Sequence, residues 1–254
     1  MSGHSKWSTI KRQKAVTDAK RGKIFTRHAR AIEVAARTGG GDPESNSALA
    51  MAIEAARSDN LPKENITRAI KKGTGELAGE SMEEKNYEGY GPGGVAILIK
   101  TLTNNPQRTV SNIRHLLAKH GGKLAESGSV AFQFQKLGNL VLEAQTKNTE
   151  EIELAAIESG AIDTESAEDF LIIKTNPADL MSVRQKLQAR FRDRADIKIK
   201  SAELAFEPVN EIKIEDFETA RKILKLVEAL EEDDDVDSVS VNFDIPDEIM
   251  KQIN

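Results

Sequence analysis

The spacing of apolar residues changes once along this chain of 254 residues, and that change constrains the fold more than any other feature. Up to about residue 75, apolar residues recur at the three- and four-residue spacing of amphipathic helices. From Val95 onward, short runs rich in β-branched residues alternate with helical stripes. The pattern predicts a helical region followed by α+β modules, because each element must bury its apolar side against another.

Three helices are predicted in the first part. In the first, from Thr17 to Arg37, one side is apolar, formed by Phe25, Ala29, Ile32 and Ala36. Three glycines at 39–41 end this helix. A second helix is expected from Ser47 to Ser58, and a third from near Pro62 to Gly73.

The second part is predicted to begin with a connection and a first module. Residues 73–94 contain seven glycines and few aliphatic residues, which indicates a linker between domains. Residues 95–102 are predicted to form a strand, and Asn105-Pro106 to start a helix. Val130, Phe132 and Phe134 alternate as in a further strand.

The elements from about residue 138 to 207 follow the order βαβαβ, and the last helix (217–230) and strand (239–243) have no partner among them. We therefore predict an α+β fold with an N-terminal three-helix domain plus two ferredoxin-like-type α+β modules, the second inserted in the first. The predicted domains are 1–79, 80–137 with 208–254, and 138–207.

Several function classes find no support in the sequence. The chain has no cysteine and no apolar run of 18 residues, so we expect no disulfide and no membrane span. The four histidines lack metal-ligand spacing, and no nucleophile and base can be paired. Residues 89–94 are rich in glycine but precede a strand, unlike a phosphate-binding loop. We expect no enzyme activity, no cofactor and no metal.

Charge is distributed unevenly along the chain. The first 37 residues include ten Lys or Arg against two acids, a local charge of +8 in a chain of net charge −5. A cationic end on an acidic body favours a polyanionic partner, and nucleic acid is the first to consider. The predicted nucleic-acid-binding residues are Lys6, Trp7, Lys11, Arg12, Lys14, Lys20, Arg21, Lys23, Arg27 and Arg30.

Trp7 is either a hydrophobic anchor or a base-stacking group. The later cations lie opposite the apolar side of the first helix. By contrast, the acidic run at 231–235 is predicted to be solvated, where it could keep nucleic acid away from that face.

Long motifs across nearly the whole chain resemble the YebC family. They are Gly3-His4-Ser5-Lys6-Trp7, Asp18-Ala19-Lys20-Arg21-Gly22-Lys23-Ile24-Phe25, Gly39-Gly40-Gly41-Asp42-Pro43, Ala69-Ile70-Lys71-Lys72-Gly73-Thr74-Gly75, Tyr87-Glu88-Gly89-Tyr90-Gly91-Pro92-Gly93-Gly94-Val95, Arg108-Thr109, His120-Gly121-Gly122 and Ser127-Gly128-Ser129-Val130. Two minor departures are the turn at 104–107 and the acidic triplet at 233–235. The resemblance implies three domains, one helical and two α+β.

The resemblance leaves the function divided. Bacterial members are described as transcriptional regulators that bind DNA, whereas the mitochondrial relative is a translational activator and some bacterial members act on ribosomes stalled at proline-rich stretches. We expect a cytoplasmic regulator that binds DNA through its basic N-terminal domain. Protein partners could contact the acidic modules.

The alternative is a ribosome-associated translation factor that binds rRNA. It adds a partner-contact loop formed by Tyr87, Tyr90, Gly91, Pro92, Gly93 and Gly94. A third class, a small-molecule sensor, needs a pocket between the modules that the sequence does not show.

Overall fold

The computed structural model describes residues 18–79, 81–144, 149–167 and 170–253, and it describes their side chains except at 18–21, 167 and 247. The helices are α1 (Asp18–Gly39), α2 (Ser47–Ser58), α3 (Lys63–Gly73), α4 (Pro106–Lys119), α5 (Glu150–Ser159), α6 (Leu180–Arg190), α7 (Phe217–Glu231) and α8 (Asp247–Ile253). The strands are β1 (Glu83–Tyr90), β2 (Ala96–Thr103), β3 (Lys123–Leu124), β4 (Phe134–Ala144), β5 (Asp163–Ala167), β6 (Phe170–Thr175), β7 (Ile197–Pro208), β8 (Ile212–Lys213), β9 (Val236–Val241) and β10 (Phe243–Asp244).

The chain divides into two compact units. One comprises the residues up to Gln135 together with those from Glu207 onward, and the other is Lys136–Phe206. The predicted α+β fold, with one module inserted in another, is confirmed. The first three helices share a unit with the first sheet, and the three predicted domain boundaries stay a prediction.

Helices α1, α2 and α3 pack around a small apolar core. Ile32 and Ala36 on α1 are fully buried against Leu49 of α2, with Phe25 and Ala29 packed at the border. The predicted apolar side of the first helix is thus confirmed. Asn46 is the N-cap of α2, since its Oδ1 accepts a hydrogen bond from the backbone N–H of Leu49 at 3.1 Å.

The first sheet has the strand order β3-β1-β2-β9. β1 and β2 form an antiparallel hairpin, and β9 pairs antiparallel with the other edge of β2. Helices α4 and α7 contribute Ile113, Leu117 and Val227 to the core that this sheet forms through Ile97 and Ile99. The segment that follows the second unit therefore completes the first sheet.

The second unit has the order βαββαβ and a four-stranded sheet with strand order β5-β6-β4-β7. Strand β6 pairs antiparallel with both β4 and β5. Leu140, Leu142, Leu171 and Ile173 are fully buried on its two central strands. This arrangement is the split βαβ motif of the ferredoxin-like module that the sequence predicted.

Strands β1 and β5 lie where the sequence did not predict them, because their residues are mostly polar, and the two-residue strands β3 and β8 were not predicted either. The predicted linker at 73–94 contains β1, whose first four residues are exposed. The presence of β5 makes the element order of the second module βαββαβ rather than the predicted βαβαβ. β5 lies at the sheet edge, and the carboxylate of Glu165 on it is 3.2 Å from the ammonium of Lys174 on β6. Charged side chains are typical of edge strands.

The predicted alternating strand at 130–134 is wrong. Ala131–Gln133 form a short 3-10 helix, and β4 begins at Phe134. Phe132 is 74% exposed, whereas Val130 is fully buried. The N–H groups of Val130 and Ala131 donate to the Glu88 carboxylate and are therefore not available for a strand ladder.

Helices α1 and α3 approach each other closely at Gly73. A Cβ placed on Gly73 would lie 2.4 Å from the carbonyl oxygen of Glu33 and 2.8 Å from the Cβ of Ala36. Real Cβ atoms do not come this close to backbone, so only glycine allows this helix spacing.

We predict that Gly73→Ala lowers the free energy of unfolding by about 1–3 kcal/mol, because the helices must separate. Gly22→Ala is the matched control, since a Cβ on Gly22 meets nothing within 4 Å. That change should raise stability by about 0.5–1 kcal/mol. Urea unfolding measures both effects, and equal stability of the two variants would contradict the close approach.

Candidate nucleic-acid interface

The structure describes only part of the predicted binding set. Lys6, Trp7, Lys11, Arg12 and Lys14 lie outside the described residues. Lys20 and Arg21 lie in the first turn of α1, and the structure describes their backbone but not their side chains. The remaining predicted cations, Lys23, Arg27 and Arg30, lie on α1 with their side chains described.

These three cations contact the acidic segment, which we define as residues 231–235. Lys23 Nζ donates to the carbonyl oxygen of Glu232 at 2.8 Å, and Arg27 Nη2 donates to that of Glu231 at 3.4 Å. Arg30 donates to the carbonyl oxygen of Asp234. The acceptors of Lys23 and Arg27 lie at the C-terminal end of α7, where partial negative charge favours cations.

Asp235 joins three elements of the first unit. Its Oδ1 lies 3.0 Å from Arg30 Nη1 on α1, and its Oδ2 lies 2.7 Å from Arg108 Nη2 on α4. Thr109 Oγ1 donates to the same Oδ2 at 2.8 Å, and Thr103 Oγ1 on β2 lies 3.3 Å from it. One carboxylate therefore connects the helical region to the first sheet and its helix.

The environment of Asp235 keeps it ionised. Burial on its own raises the pKa of the carboxyl group, since the residue is only 3% exposed. Hydrogen bonds from Arg108 and Thr109, together with the charges of Arg108 and Arg30, outweigh burial and lower the pKa below its ordinary value. The prediction that the whole acidic run is solvated is wrong for Asp235.

The predicted partner-contact loop is held mainly by internal contacts. Tyr87 Oη donates to the carbonyl oxygen of Pro106 at 3.2 Å, and Tyr90 Oη to that of Ser129 at 3.1 Å. Gly91 is buried. A Cβ at this position would lie 2.9 Å from Val95 Cγ2, so there is little room for a side chain. Pro92 is half-buried. The exposed tip consists of Gly93 and Gly94, both with positive φ.

Glu88 lies under this loop and anchors a neighbouring turn. Its carboxylate accepts hydrogen bonds from the N–H groups of Gly128, Val130 and Ala131 at 2.7, 2.6 and 2.9 Å. Burial raises the pKa of this group, but these backbone donors outweigh burial and lower it. Glu88 was not among the predicted functional residues, although it lies inside one of the motifs that resemble the family.

Two further features, a cluster of metal ligands and a membrane-spanning helix, are not found among the described residues. Within the described ranges, no three carboxylate or imidazole groups come together as metal ligands. No helix among these residues is both long enough and apolar enough to cross a membrane.

We predict that Asp235→Asn lowers the free energy of unfolding by about 2–4 kcal/mol, because Arg30 and Arg108 lose their shared carboxylate. Asp234→Asn is the control, since the side chain of Asp234 is exposed and Arg30 binds its backbone carbonyl oxygen. Guanidinium unfolding of both variants measures the difference. A stability change of the same size in the two variants would show that Asp235 is not the connecting group.

We predict that Glu88→Gln costs about 1–3 kcal/mol at neutral pH, because an amide presents its own N–H to the backbone donors. The folded pKa of Glu88 lies below the ordinary 4.5, so its contribution is complete above that value and disappears as pH falls through the folded pKa. Urea midpoints measured from about pH 3 to about pH 7 should therefore converge for wild type and variant at the acid end. A constant difference at all pH values would contradict this role.

Comparison with known proteins identifies relatives across the full chain. The description "TACO1/YebC protein N-terminal domain" matches residues 5–76, and "TACO1/YebC second and third domain" matches residues 82–243. A protein of Rubrobacter xylanophilus named "Probable transcriptional regulatory protein" is 50% identical over 100% of this chain and 99% of its own length. One with the same name from Acidithiobacillus ferrooxidans is 51% identical over 100% of this chain and 98% of its own.

The fold also has a solved counterpart. The crystal structure of the conserved hypothetical protein Aq1575 from Aquifex aeolicus matches with a TM-score of 0.83 and 46% identity, covering 90% of this chain and 92% of that one. The sequence motifs, the two matched domain descriptions and the relatives with about 50% identity all indicate the same family. The chain belongs to the TACO1/YebC family.

Proposed function

We propose that this protein is a non-catalytic regulator of gene expression that binds DNA through its basic N-terminal region. The uneven charge distribution is the main support, since a local charge of +8 precedes an acidic body. The names of the relatives, "Probable transcriptional regulatory protein", agree with this role. Phosphate contacts provide the affinity in this proposal, and protein partners can bind the acidic modules.

The contacts of α1 refine which cations bind phosphate. Arg30 shares a buried carboxylate, and its main role in the proposal is to hold α1 against the first sheet. Lys23 is exposed, and its ammonium group keeps two donors beyond the one bound to Glu232. The proposed phosphate contacts therefore come mostly from Lys23 and the cations before it: Lys6, Lys11, Arg12, Lys14, Lys20 and Arg21.

We predict that binding to duplex DNA weakens with salt at a log–log slope of about −4 to −7, as expected for five to eight neutralised phosphates. Replacing Lys11, Arg12, Lys14 and Lys20 by Gln should make the slope less negative by about 3–4, similarly for unrelated DNA sequences. The matched control replaces four exposed lysines elsewhere, Lys213, Lys222, Lys225 and Lys251, by Gln.

Fluorescence anisotropy over a series of salt concentrations measures these slopes. A flat response of the wild-type protein would refute the proposal. An equal loss in the control variant would show that net charge, and not the N-terminal region, determines binding.

A second candidate function is ribosome association through rRNA, with the loop tip at Gly93 and Gly94 as a contact. The observation in its favour is that these two glycines are exposed, whereas Tyr87, Tyr90, Gly91 and Pro92 are buried or half-buried. Sedimentation with ribosomes in high salt, lost when Gly94 is replaced by Glu, would favour this function over DNA binding. Absence of the protein from the ribosome fraction would reject it.

A further inference from the structure

Helix α4 and the turn after it form a basic stretch outside the N-terminal region. Residues 104–125 contain no aspartate or glutamate, in a chain that has 41 acidic residues. Within the same stretch lie Arg108, Arg114, Lys119 and Lys123. Such a long interval without an acid is unusual for a chain with 30% charged residues and a net negative charge.

The fold places Arg108, Arg114 and Lys119 on the side of α4 that is turned away from the core. Thr109, Ile113 and Leu117 are fully buried and fix the opposite side of the helix against the core. Arg114 and Lys119 are exposed, and no hydrogen bond or ion pair joins either of them to another residue that the structure describes. Their charges are therefore available to a partner.

The acidic segment borders only one edge of this surface. Asn112 Nδ2 lies 3.4 Å from Asp233 Oδ2, and Arg108 binds Asp235 on the same side. At 100° per residue, Arg114 is turned about 160° away from Asn112, whereas Lys119 lies about 20° from Asn112 but about 10 Å further along the helix. Beyond the C-terminal end of α4, Lys123 extends the basic surface, with its ammonium 5.6 Å from the centre of the Tyr90 ring.

We propose that the solvent side of α4 is a second phosphate-contacting surface, and that its partner is the backbone of duplex DNA. The inference rests on the proposed function and extends it to a site with no contribution from the N-terminal cations. Arg114 and Lys119 are five residues apart, about 7.5 Å along the helix, which suits about two phosphates of one strand.

A duplex fits this surface better than a single strand does. Single-strand binding relies on aromatic side chains that stack on unpaired bases. The helix α4 contains no aromatic residue other than His115. Tyr90, beside Lys123, is half-buried and its hydroxyl donates to the carbonyl oxygen of Ser129. Helix α4 itself therefore offers charge without a stacking platform, which suits phosphates and provides no base-specific readout.

The test compares Arg114→Gln/Lys119→Gln with the control Lys222→Gln/Lys225→Gln, which removes the same charge from exposed positions of α7. We expect the first variant to bind duplex DNA with a salt slope less negative by about 1.8 and an affinity roughly 10- to 60-fold lower at about 0.1 M salt. Each single variant should give about half the change in slope, and thermal unfolding should match wild type.

Three outcomes would overturn the inference. If the α4 variant keeps wild-type affinity while the N-terminal variant loses it, the proposed function stands and the second surface does not exist. If the α4 variant loses duplex RNA or single-stranded DNA binding but keeps duplex DNA binding, the assigned partner is wrong. If the wild-type protein shows no salt-dependent DNA binding, the proposed function fails first, and this inference with it.

Discussion

The organisation of the first unit depends on one buried carboxylate and the cations around it. Asp235, which is 3% exposed, accepts hydrogen bonds from α1, β2 and α4 at once. A buried charge is tolerated only when it is paired and hydrogen-bonded, and loss of one partner leaves the others uncompensated. The position of α1 against the first sheet is therefore tied to the ionisation of a single residue.

This arrangement divides the positive charge of the N-terminal region between two roles. The later cations of α1 satisfy carbonyl groups and a carboxylate within the molecule. In our proposal, the earlier cations bind phosphate. Positive charge in α1 is thus partly structural, and a count of charges from sequence overstates the number of groups available to nucleic acid.

Elements with a clear apolar period were identified from the sequence, whereas mostly polar strands were not. Helix α2 has its predicted bounds, because its apolar residues recur in a clear period and its ends are recognisable. Strands β1 and β5 were missed because their residues are polar and one edge is largely unpaired. At Val130, alternation suggested a strand, but hydrogen bonds to Glu88 produce a 3-10 turn that no local pattern specifies.

The site shows the same limit. The sequence alone determined the helices of the first region, the apolar side of α1, the α+β class with an inserted module, and the family motifs, because these depend on neighbours close in the chain. Only the tertiary structure showed that Asp235 lies beside Arg30 and Arg108, which are separated from it by 205 and 127 residues. Sequence gives the charge of each group, but burial and long-range contacts decide whether that charge stabilises the fold or remains available to a partner.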